Sequence, residues 1–119
     1  MTVFREILQE AVEKLPGAQG AAFLDWEGET VDAYCTIDQT EMRLLGAHWG
    51  IVYHLARGVV DRLQLGPTRR LLLRSTGATI VIQPVTDHYY AIVMLLPEGH
   101  LGRAMRTLDT LAARLREQM

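Results

Sequence analysis

At 119 residues the chain is one domain's worth of polypeptide, long enough to build a core without disulfide or metal staples. Its 49% hydrophobic and 22% charged composition is ordinary for a globular protein, and a formal net charge of −2 argues against a dedicated nucleic-acid binder, which would carry a basic stripe. Cys35 is the single cysteine, so no intramolecular disulfide can form and a cytoplasmic setting is expected; no apolar run approaches the roughly 20 residues of a membrane helix.

Residues 3–15 place Val3, Phe4, Ile7, Leu8, Ala11, Val12 and Leu15 at helical spacing, with Thr2 as a cap and Pro16-Gly17 as the stop. The charges of residues 1–15 leave no signal-peptide core. Residues 19–25 and 30–36 read as a hairpin, with Gly28 supplying the positive φ of its turn. Asp38 followed by Glu41 opens a long helical pattern that ends near Gln64, before Gly66-Pro67. Three strands follow, at 69–75, 78–85 and 89–96, and a last helix runs from about Leu101 to Gln118.

The order α-β-β-α-β-β-β-α with short turns predicts a five-stranded antiparallel sheet. Ile80-Val81-Ile82 and residues 91–96 are apolar on consecutive positions. Side chains of a strand alternate faces, so both faces must be covered, by one helix on one side and two on the other. Strand 30–36 alternates in polarity and is placed at one edge.

Two features point beyond the monomer. On the long helix, Val52, Leu45, Leu63, Ala56, Trp49, Met42, Val60 and Tyr53 form a face expected to meet the sheet, while Leu44, Ile51 and Leu55 lie about 100° away. That second set either widens the buried arc of the monomer or packs on another chain. Strand 69–75 carries Leu71-Leu72-Leu73 between Arg69, Arg70 and Arg74. It is either a central strand or an apolar edge that a two-fold copy would cover.

The residues Leu15-Pro16-Gly17, Ala22-Phe23-Leu24-Asp25 with Gly28, the small residues of the long helix, Ile80–Val85, Ala91–Leu95 and Leu101-Gly102-Arg103-Ala104, taken in order, resemble the Roadblock/dynein-light-chain family and its MglB-like bacterial regulators. The resemblance implies an α/β (α+β) sandwich forming a single domain over 1–119. It also implies dimerisation through the strand after the long helix and through that helix itself, and association with Ras-like small GTPases, whose hydrolysis MglB-like members stimulate without lending a catalytic side chain. The sequence stops soon after its last helix, short of the C-terminal extension some MglB-type proteins carry, so extension-dependent activities are not expected.

On this reading Leu44, His48, Ile51, Leu55, Arg69, Arg70, Leu71, Leu72, Leu73 and Arg74 are expected at the dimer interface. Arg43, Ala47, Gly50, His54, Arg57 and Asp61 are expected to face the partner, with the small residues admitting a third surface. The dimer is with itself or with a paralogue. A structural adaptor without GTPase regulation and a PAS- or profilin-like small-molecule sensor are the alternatives.

Little in the sequence favours chemistry. No GxxxxGK[ST] phosphate loop is present, so the chain is not itself the GTPase. His48 and His54 lie about 120° apart on the helix, and no spacing converges three ligands on a metal. Gly99-His100-Leu101-Gly102 could offer amides to an anion but reads first as a turn and a packing step. No catalytic residue and no cofactor are expected. Trp26, at a hairpin tip, either anchors a partner or folds back on the first helix.

Overall fold

In a computed structural model, residues 2–119 are described, except for the side chains of residues 39 and 41–45. The elements are α1 (Val3–Lys14), β1 (Ala18–Asp25), β2 (Thr30–Cys35), α2 (Gln39–Arg62), β3 (Leu71–Arg74), β4 (Thr79–Thr86), β5 (Tyr89–Leu95) and α3 (Leu101–Glu117). The five strands form one antiparallel sheet in the order β2-β1-β5-β4-β3, so β2 is at an edge as expected, and of the two readings open for β3 the edge is the one observed. β3 is shorter than expected, because residues 69 and 70 diverge from β4 before the pairing of Leu71 with Ile82 begins.

Alternation along each strand sorts the core into two layers. Ala21, Phe23, Val81, Ala91, Val93 and Leu95 face α1 and α3, meeting Ile7, Leu8, Val12, Leu108, Leu111 and Leu115. Ala22, Leu24, Ile80, Ile82, Tyr90 and Ile92 face the other way, toward α2 and its buried Tyr53. The consecutive apolar residues of β4 and β5 thus serve two cores. Thr2 caps α1 by accepting from the Arg5 amide at 3.1 Å. Gly28 holds the β1–β2 turn at φ +89°, a conformation a side chain would strain.

Candidate dimer and partner interface

Two glycines of α2 turn out to serve the sheet, whereas a Cβ at Gly58 would meet nothing within 4 Å and Ala47 is exposed. A Cβ added at Gly50 would lie 2.1 Å from the Tyr90 hydroxyl, and one at Gly46 would lie 3.1 Å from a Leu24 methyl. Gly46, Gly50 and Tyr53 are therefore the line along which α2 beds down, about 80° around the helix from the centre of the expected face. Gly50 is buried and does not belong to a partner-facing surface. Leu63, expected to point inward, is 63% exposed.

The opposite side of α2 is apolar and open. Ile51 (62% exposed), Leu55 (68%), Val59 (45%) and Leu63 stand four residues apart, so they form one stripe. Val59 and Leu63 extend the expected Ile51–Leu55 pair by two turns, and His48 is exposed one turn earlier. The side chain of Leu44 lies outside the described residues, as does that of Arg43.

At β3 the side chains alternate. Leu71 and Leu73 pack on the α2 layer, while Leu72 is 37% exposed on the other face. The flanking arginines do not share one role. The Arg70 guanidinium turns back into its own subunit, donating to the Gln83 side-chain oxygen at 2.8 Å and pairing with Asp109 at 2.7 Å. Arg74 donates to the Pro97 carbonyl at 3.3 Å. Both are occupied within the monomer, whereas Arg69 is exposed.

The remaining flank of α2 meets two hairpin turns. His54 donates from Nε2 to the Trp26 carbonyl, and its ring stands edge-on to the indole at 6.2 Å. Arg57 donates to the Asp87 carbonyl at 3.2 Å. The turns are tied to each other as well: the Trp26 amide donates to the His88 carbonyl at 2.8 Å. An Asp25 carboxylate oxygen accepts the Glu27 and Glu29 amides, each at 3.0 Å. Trp26 therefore does not fold back on α1. It sits 53% exposed on a corner fixed by three elements. Ala47 and Asp61 are exposed on the same flank.

Beneath the corner, Tyr53 and Tyr90 pack ring to ring at 5.1 Å, both buried. Among the described residues neither hydroxyl has a hydrogen-bond partner, and neither does the buried Thr68 hydroxyl. Burial, with the Asp25 charge and Tyr53 adding to it, pushes the Tyr90 phenol up to about 12, and burial raises that of Tyr53 as well. Tyr53 and Thr68 line a groove of about 840 Å³ that also takes in Arg57, Asp61, Asp87 and Arg116. At the start of α3, the His100 ring accepts the Arg103 amide at 3.3 Å, so that amide serves the helix cap.

A three-layer sandwich of this strand order, with one long helix opposite two shorter ones across the sheet, defines the class of fold. The Roadblock/LC7 domain model matches residues 5–95, and the chain belongs to that family. Among solved structures, a Roadblock/LC7 domain from Streptomyces avermitilis superposes with a TM-score of 0.88 at 15% identity, covering 95% of this chain and 94% of that one. Myxococcus xanthus MglB superposes at 0.88 with 10% identity over 99% and 95%. MglC from Myxococcus xanthus does so at 0.72 with 19% identity over 99% and 100%. No match is found among curated protein sequences.

Proposed function

We propose that the chain is a homodimeric, non-catalytic module that binds and regulates a Ras-like small GTPase. The observation that carries the dimer is the Ile51-Leu55-Val59-Leu63 stripe on the solvent side of α2; the β3 edge, which no other strand covers among the described residues, is a second open surface. A monomer would leave this apolar surface in water, and a second copy related by a two-fold axis would bury the same patch from both subunits. Leu71, Leu72, Leu73 and Arg69 complete that contact in the proposal. The client falls to the flank of α2 that carries Ala47, His54, Arg57 and Asp61, with Arg43 on the same flank by helical spacing. Membership of the Roadblock/LC7 family and the likeness to MglB support a GTPase as that client.

The test has two parts. Sedimentation velocity at micromolar concentration should give a dimer. The purified chain should then bind a Ras-like GTPase encoded in the same genome and change its rate of GTP hydrolysis. A monodisperse monomer sinks the dimer. Absence of both binding and rate change with every such GTPase sinks the regulator, and binding without a rate change leaves an adaptor.

A further inference from the structure

Resting on that reading, we infer that the client meets the corner around Trp26 with a basic surface, whose lysine or arginine side chains enter the groove beside Asp61 and Asp87. Three independent observations meet here. The first is charge. Asp25, Glu27, Glu29, Asp61 and Asp87 ring the corner and the groove, against the guanidiniums of Arg57 and Arg116. None of the five carboxylates takes part in an ion pair among the described residues. Asp25 is spent on its own turn, and Arg57 is held by the Asp87 carbonyl rather than by a carboxylate. Five carboxylates against two guanidiniums leave the corner and groove together net acidic, with the excess at the turn of Asp25, Glu27 and Glu29, while the groove itself sets Asp61 and Asp87 against Arg57 and Arg116.

The second is Trp26. An indole half in water on a flexible tip would be unremarkable, but this tip is pinned by the His54 ring and by the His88 carbonyl. Holding the indole in place in the free protein removes much of the ordering cost of binding, and tryptophan is the best aromatic face for a cation. A recess of about 260 Å³ opens between Trp26 and Arg57, Asp87 and His88. It continues into the larger groove through the last three of these residues.

The third is the floor of that groove. Tyr53 is 1% exposed, lines it, and has an unpartnered hydroxyl; the Thr68 hydroxyl in the same groove is likewise unpartnered. A buried hydroxyl left without a partner is costly. An ammonium or guanidinium brings only donors. The carboxylates of Asp61 and Asp87, which line the same groove, can accept from it.

The experiment measures GTPase binding by wild type, Trp26→Ala, Glu27→Lys/Glu29→Lys, and a control, Glu13→Lys/Glu117→Lys, which makes the same charge change on the α1 and α3 layer. Thermal melts check folding. The Glu27 and Glu29 side chains are exposed and the turn is held by their amides, so that double variant keeps its fold even if Trp26→Ala does not. Both corner variants should lose binding at least tenfold and the control should stay within twofold. Wild-type affinity should fall as salt rises from 50 to 300 mM. Corner variants that bind like wild type overturn the inference while the regulator reading stands. A wild-type chain that binds no GTPase overturns both.

Discussion

β2 and β3 stand at opposite rims of the sheet, each paired on one side only, and they treat the free side differently. On β2 the amide of Ala33 is taken by the Asp32 carboxylate at 2.8 Å, and its carbonyl accepts from the Arg5 guanidinium at 3.3 Å. Thr2, the cap of α1, donates to the other Asp32 oxygen. A buried carboxylate and an arginine from α1 thus plug the middle of the strand, which is how an edge is kept from recruiting another chain. On β3 the arginines that could have done the same work are turned elsewhere, Arg70 to Gln83 and Asp109, Arg74 to Pro97. One edge is closed from within the subunit; the other is open.

Breaking that contrast from the β3 side should have the largest effect. Leu55→Glu combined with Leu72→Lys puts charge into the stripe and onto the open edge. The dimer dissociation constant should rise at least about thirtyfold, corresponding to roughly 2 kcal/mol for the loss of a central contact. Sedimentation velocity across a dilution series reads this directly. The reciprocal change, Asp32→Ala, removes the plug from β2. It should cost about 1–3 kcal/mol in urea unfolding, because the groups that bonded the carboxylate lose their partner, and it should add concentration-dependent self-association. A double variant that dimerises as wild type does, or an Asp32→Ala chain of unchanged stability and association, would mean the two edges are not distinguished in this way.

A second contrast lies within α2, between the side with glycines and the side with aliphatics. Hydrophobic periodicity placed Leu63 against the sheet, yet the contact line runs through Gly46 and Gly50. Glycine carries no hydrophobic signal, so a helix that approaches closely through glycines is misoriented by any count of apolar residues. Gly50→Ala should therefore destabilise the fold. Crowding of the Tyr90 hydroxyl costs about 1–3 kcal/mol, only partly offset by the ~1 kcal/mol that alanine gains in a helix. A rise in melting temperature would show that α2 rides higher on the sheet than described.

What could be read in advance follows the range of the interactions. The strands were legible because consecutive apolar residues in β4 and β5 can only mean two covered faces, and Gly28 and Pro16-Gly17 mark turns by local chemistry. The leucines of β3 left it either a central strand or an open edge, and only the strand order decides for the edge. The fate of its arginines was not legible: Arg70 finds Gln83 and Asp109 thirteen and thirty-nine positions away, and nothing local announces either. Trp26 is the same case, since its place depends on two hairpin turns and α2 arriving at one corner.

The smallest effect expected at neutral pH concerns Tyr90, whose hydroxyl fits the space that Gly50 leaves but finds no partner there. Tyr90→Phe removes a buried group that bonds nothing, so stability near pH 7 should change by less than about 1 kcal/mol, with a gain the more natural sign. Alkaline solution separates the two chains. The Tyr90 phenol, near 12 in the fold, titrates near 10 once exposed, so the folded protein holds a proton that the unfolded chain releases. The resulting stability is complete below about pH 10 and is lost as pH climbs toward 12, by roughly 2–3 kcal/mol in all. Tyr53, raised in the same direction by burial, adds to the slope. Urea unfolding of wild type and Tyr90→Phe between pH 9 and 11.5 should show the variant losing stability less steeply. Parallel curves would place the phenol in contact with water and remove the case for a close-fitting α2.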